Sequence, residues 1–168
     1  MKNVLKFLAI AVVILGFSAN SFGQLSASAD ASASIVTPLK IVKATDLVFG
    51  KLAPSGTIGS VAVTTAGIRS TPTGSIQLIG TVTPQAASFT VTGETGLVYA
   101  ITLPDDGTVS LTSGLNSMAV TGFTSDPDGS ATLVAGNNTI SVGATIAVSA
   151  TQESGDYTGS FDVSVVYE

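Results

Sequence analysis

A chain of 168 residues with six basic and eleven acidic side chains, and with no Cys, His or Trp, excludes much before any motif is read. Without imidazole or thiol, the commonest nucleophile, general-base and transition-metal chemistry is absent, so the chain reads as a non-enzyme without cofactors. The acidic balance argues against nucleic acid or an anionic membrane as partner, because both need clustered Lys and Arg.

Residues 1–23 read as a signal peptide. Lys2 and Lys6 flank the start of an apolar run from Leu5 to Phe17, which is too short to span a bilayer, and Ser21 and Gly23 occupy the small-residue positions of a cleavage site. An uncleaved anchor is the alternative, but the polar, alternating sequence that follows is unlike a stop-transfer region. No Cys follows the run to carry a lipid. The expectation is an exported chain, in the periplasm, on the cell surface or extracellular, that does not insert in a membrane once the signal is removed. About 145 residues then form one domain burying roughly two-thirds of its unfolded surface, enough for a core without disulfides.

Residues 24–36 form an Ala/Ser-rich stretch ahead of the domain at 37–168. Ala27, Ala29, Ala31, Ala33 and Ile35 alternate with Ser or Asp, which is the period of a strand that packs closely against something, or of a flexible leader. Pro38 interrupts it, and Leu39 and Ile41 resume the alternation. Leu47-Val48-Phe49 is a short strand whose Gly50 marks a bulge or a close approach. Val61 and Val63, then Ile76 and Leu78, give further strands, with the 69–74 loop and its Arg69 expected at the surface between them. Phe89 and Val91, followed by Gly93-Glu94-Thr95-Gly96 and then Leu97, Tyr99, Ile101 and Leu103, read as a hairpin.

Val109 and Leu111, Met118 and Val120, and the long run Ile140, Val142, Ala144, Ile146 and Val148 continue the pattern. At the end Phe161, Val163, Val165 and Tyr167 fall on every second position, a strand with one buried face that must close a sheet as its inserted last segment. Turn signals recur at roughly the 8–12-residue spacing of sandwiches, and no window after the signal reads as helix. The fold class is an all-β, immunoglobulin-like Greek-key β-sandwich.

Five segments carry a family resemblance: the Ala/Ser alternation, Leu47 to Pro54, Ala87 to Gly93, Tyr99 to Pro104, and Gly155 to Phe161. Together they resemble a bacterial domain family of unknown function whose exported members look like spore-coat protein U and pilin domains. The resemblance implies an immunoglobulin-like sandwich used as a surface or fibre subunit, in which an N-terminal extension completes a neighbour's sheet. Phe49-Gly50 and Tyr167 fit that comparison. Copies of the chain itself or related subunits, and a periplasmic chaperone, are the partners so implied. The assembly residues would be Ala27, Ala29, Ala31, Ala33 and Ile35 as the inserting face, with Phe161, Val163, Val165 and Tyr167 lining the receiving core. The same N-terminal strand equally serves to complete its own domain.

Other motifs have plainer readings. Asp126-Pro127-Asp128-Gly129 and Asp105-Asp106-Gly107 carry the residues of turns and lack the full calcium-loop pattern. No feature selects one carboxylate couple as a glycosidase pair. Asn137-Asn138-Thr139 matches a glycosylation acceptor but reads as a turn. Outward Thr and Ser lack the regular pairs an ice-binding face needs. A monomeric glycan-binding module, with its site on loops such as 125–129, remains the alternative function.

Overall fold

The computed structural model describes residues 24–168 apart from 75 and 81, so the predicted signal peptide lies outside the described residues. The chain divides into a short N-terminal unit, Met1–Ser34, and a main unit, Ile35–Glu168. In the first, the described residues carry no strand and are exposed.

The main unit is all-β, without a helix among the described residues. Its strands are β1 (Lys40–Thr45), β2 (Lys51–Ala53), β3 (Gly59–Val63), β4 (Gln77–Ile79), β5 (Ala87–Thr92), β6 (Val98–Thr102), β7 (Val109–Ser113), β8 (Asn116–Asp126), β9 (Ser130–Thr132), β10 (Asn137–Val148) and β11 (Ser164–Tyr167). A six-stranded sheet runs β1-β5-β10-β8-β7 with β3 also on β10, a three-stranded sheet runs β11-β6-β9, and β2 pairs β4. All pairings are antiparallel.

The strand β10 is central because its alternation is the longest. Ile140, Val142, Ala144, Ile146 and Val148 are all buried, and the strand pairs with β8 on one side. On its other side β5 is the partner up to Val142, and β3 takes over from Ala144. Gly143 sits at that handover, where a Cβ would collide with the Val63 carbonyl and the backbone of Thr64 and Thr65. Opposite Ala144, β8 inserts the pair Gly122 and Phe123. The bulge shifts the phase of the strand by one residue, so Met118 and Val120 point inward before it and Phe123 and Ser125 after it. Gly122 has φ +58, and its N–H donates to Asp106 Oδ1 at 2.7 Å. The Asp105-Asp106 turn therefore serves the ladder.

Strands β1 and β2 form one antiparallel ribbon with β5 and β4, since Val48 also bridges Gln85. Gly50 lies in this ribbon at φ +85, where the Arg69 guanidinium leaves no room for a Cβ. Arg69 is half-buried, and its Nη1 donates to the Phe49 carbonyl at 3.0 Å. This corrects the expectation of a surface arginine: a carbonyl freed from the ladder beside a positive-φ glycine needs a donor, and the guanidinium supplies one.

The core has two lobes. One joins Val61, Val63, Val120, Ile146 and Val148 to Phe49 and Ile76; the other joins Phe89, Val91, Ile140 and Val142 of the large sheet to Tyr99, Ile101, Leu133 and Val163 opposite. Leu47, Phe123 and Phe161 pack against both. Each Val, Leu or Ile fully removed from water contributes about 1.5–3 kcal/mol, so this face-to-face burial is what holds the layers together.

Three sequence expectations change. The predicted hairpin across 93–96 is a crossing between sheets, because β5 belongs to the six-stranded sheet and β6 to the three-stranded one. The Gly93 N–H donates to Gly136 O at 3.0 Å and the Gly96 N–H to Leu133 O at 2.9 Å, so the turn leans on the 133–136 segment, with one longer bond of its own from Leu97 N–H to Glu94 O at 3.4 Å. The turn expected at Asn137-Asn138 is made by Ala135 (φ 53) and Gly136 (φ 75), which return Asn137 N–H to Val134 O and leave both Asn residues in β10. Finally, the closing strand is not inserted between others: β11 is an outer strand, paired with β6.

Candidate functional site

The two sets of residues expected to act in assembly lie at the two ends of the chain. At the C-terminal end Val163 is buried, Phe161, Val165 and Tyr167 are half-buried, and all four line the second core lobe. The Phe161 ring stands edge-on to Phe89 with centroids 6.3 Å apart and lies 5.0 Å from Phe123. The ladder runs in the register Ser164↔Thr102 to Tyr167↔Tyr99, and the Glu168 N–H continues it to Val98 O at 3.2 Å. Continuing that register puts Asp162 opposite Pro104, which has no N–H to donate, and the ladder stops there. Phe161 and Val163 thus enter the core ahead of the strand.

Where β6 and the run into β11 part, a groove of about 310 Å³ opens between Leu103-Pro104, Thr108-Val109 and Ser160-Phe161-Asp162. No residue of the 125–129 loop lines it.

At the N-terminal end Ala27, Ala29, Ala31 and Ala33 are exposed and outside any strand, and Ile35 is 98% exposed. The structure therefore gives the stretch no ladder of its own. Alanine explains this: a methyl group buries too little area to offset the roughly 1–2 kcal/mol needed to order each residue's backbone.

The root of that stretch is fixed by a cluster the sequence did not reveal. Tyr167 Oη donates to the Thr37 carbonyl at 2.7 Å and accepts the Glu94 N–H at 2.7 Å. Glu94 Oε2 in turn accepts the Thr37 N–H at 3.0 Å and the Thr37 hydroxyl at 2.7 Å. Those bonds, the backbone one first, hold the Glu94 carboxyl below its ordinary pKa, with a small opposing effect of burial. Gly93 makes the arrangement possible, since a Cβ there would overlap the Tyr167 hydroxyl and crowd Leu133. The penultimate residue, the 93–96 crossing and Thr37 are thereby locked to one another. Alternation predicted that Tyr167 faces inward, but nothing in the sequence pairs it with Thr37 across 130 positions.

Among the described residues two buried hydroxyls lack a hydrogen-bond partner, Tyr99 Oη and Ser125 Oγ. Burial raises the Tyr99 pKa, and the Asn138 side chain opposes the rise without closing a bond of good geometry. Asp126 and Asp128 are exposed, and no group of three metal-ligating side chains comes together among the described residues. No helix among them is long and apolar enough to cross a membrane.

A family model described as a domain of unknown function, DUF4402, matches residues 39–167. No curated protein and no solved structure matches the chain.

Proposed function

The chain belongs to the DUF4402 family, and we propose that it is an exported, non-catalytic structural subunit of a surface layer or fibre, associating by β-strand pairing. In this it acts like the spore-coat protein U and pilin domains that its motifs resemble, with a periplasmic chaperone as its partner before assembly.

One observation carries the reading. Tyr167 and Glu94 clamp Thr37, the point from which an exposed, uncharged-but-for-Asp30 stretch with strand alternation departs. A leader without a task needs no such root. Extended backbone with unmade hydrogen bonds finds partners on an outer strand of another copy, and small side chains let the backbones approach. The outer strands β1 and β11 each have one partner strand. At about 500 mM salt, where contacts between surface charges are screened, removing residues 24–36 should leave a folded domain that elutes as a monomer in size-exclusion chromatography. Identical profiles for the two forms would overturn the proposal.

The groove beside Phe161 favours a second reading, a monomeric glycan-binding module. Asp162, Ser160 and Thr108 would supply polar contacts there, and Phe161 an aromatic edge.

A further inference from the structure

Charge is distributed along this chain in blocks. Beyond residue 23, the basic residues are Lys40, Lys43, Lys51 and Arg69, and none follows Arg69; every carboxylate except Asp30 and Asp46 lies at Glu94 or later. The fold converts that order into an arrangement in space. Lys40 and Lys43 are exposed on β1, which is one margin of the six-stranded sheet, and β2 continues the same ribbon with exposed Lys51. Arg69 is bonded to the ribbon at Phe49.

The opposite margin is acidic. There β7 is the last strand, and its outer side is covered by the segment around Thr158, which exchanges two backbone hydrogen bonds with Thr112 at 2.8 and 3.0 Å. The turn entering β7 carries Asp105 and Asp106, and the segment that leads to Thr158 carries Glu153 and Asp156, all four exposed. Four strand spacings, about 19 Å, separate the margins. That is more than twice the screening length of about 8 Å at physiological salt, so the two fields do not cancel on one molecule.

The two margins also differ in how they are finished. The β7 side is capped by Thr158, whereas β1 has β5 as its one partner strand, and Val42 on it is 49% exposed. Lys43 is paired with Asp46 at 2.6 Å and Arg69 is tied to the Phe49 carbonyl, which leaves Lys40 and Lys51 as the exposed cations outside any ion pair among the described residues.

We propose that the β1–β2 margin is a docking surface for a second copy of this chain, which presents its acidic Asp105/Glu153/Asp156 margin to Lys40 and Lys51. The occupant follows from charge complementarity. This approach opposes unlike fields, whereas bringing the acidic margins of two copies together opposes like ones. The contact is heterologous, with different surfaces on the two partners, so repetition makes an open row and not a closed dimer. It deepens the subunit reading by adding a contact that does not involve the N-terminal extension, and it rests on that reading only for self-association.

The test uses the protein purified as the cell accumulates it, with sedimentation velocity at about 20 mM and about 500 mM salt, where screening lengths differ several-fold. The expected result is self-association whose dissociation constant rises at least tenfold at the higher salt. Reversing one margin (Lys40→Glu with Lys51→Glu) or the other (Asp105→Lys with Asp156→Lys) should abolish the salt-sensitive part of the association. Mixing the two reversed proteins should restore it, because each then offers what the other lacks. Asp106 is left in place because it holds the bulge in β8. Circular dichroism of both variants separates loss of contact from loss of fold. Should a variant unfold, the salt titration of the unaltered chain decides alone. A protein that is monomeric at low salt, association indifferent to salt, or reversed variants whose association keeps the same salt dependence would overturn the docking surface. Association that persists at high salt but is lost on removing 24–36 would overturn it too, while leaving the strand-pairing reading intact.

Discussion

The two ends of this chain carry the same two-residue alternation and meet opposite fates. Ala27 to Ile35 alternate as cleanly as Phe161 to Tyr167, yet the first stretch is exposed and without a ladder while the second lines the core. The difference is side-chain size. Alternation states which face a strand would bury; the area on that face decides whether burial offsets the entropy of ordering the chain. A methyl every second residue does not, and a phenyl or isopropyl group does.

The sharpest way to break that comparison is to make the C-terminal end resemble the N-terminal one. Phe161→Ala removes the ring that packs against both lobes and against Phe89 and Phe123. Truncations of buried Phe cost about 3–5 kcal/mol, and for a half-buried ring about 2–4 kcal/mol is expected. Urea denaturation followed by circular dichroism reads this directly. A change under about 1 kcal/mol would mean that the two lobes do not depend on Phe161 for their connection.

A smaller effect is expected at Tyr167. Replacing it by Phe keeps the ring against the second core lobe but removes one bond to Thr37 and one from Glu94. At about 0.5–1.5 kcal/mol for each bond, a loss of about 1–3 kcal/mol follows. Amide exchange at Thr37 and Glu94 should quicken in the same variant while exchange in β10 does not. Uniform quickening would show that the hydroxyl supports the whole fold and not the root of the extension.

These residues also mark how far the sequence could be read. The all-β class, the inward faces of β10 and β11, the turn at 105–107 and the tight spot at Gly50 follow from period and punctuation, which are local. What escaped is non-local. The 93–96 turn has the composition of a hairpin, and only the positions of Leu133 and Gly136 make it a crossing between sheets. Arg69 looks like a loop cation until Phe49 presents its carbonyl. The odd spacing from Val120 to Phe123 was the visible trace of the bulge, but its partner Asp106 came from another turn. Thr37, Glu94 and Tyr167 are individually ordinary, and their association is a property of the closed fold. Of the nine residues expected to act in assembly, the four at the C-terminal end are brought together in the core and the five at the N-terminal end are left outside it.

The smallest effect concerns pH, and it isolates the root of the extension from the core. Glu94 is held below its ordinary pKa by the bonds it accepts from Thr37. A carboxyl depressed in the folded state contributes stability above its unfolded pKa, near 4.3, and loses that contribution as pH falls through the lower folded value. The clamp is therefore intact at neutral pH and loosens only in acid. In an NMR titration the Glu94 side chain and the Thr37 amide should move together, with a midpoint below that of an unstructured glutamate, while Phe161 and Val163 do not shift. Glu94→Gln should abolish the Thr37 transition. A Glu94 midpoint at the ordinary carboxylate value, or a Thr37 amide that ignores it, would leave Tyr167 as the sole tie between the two ends of the chain.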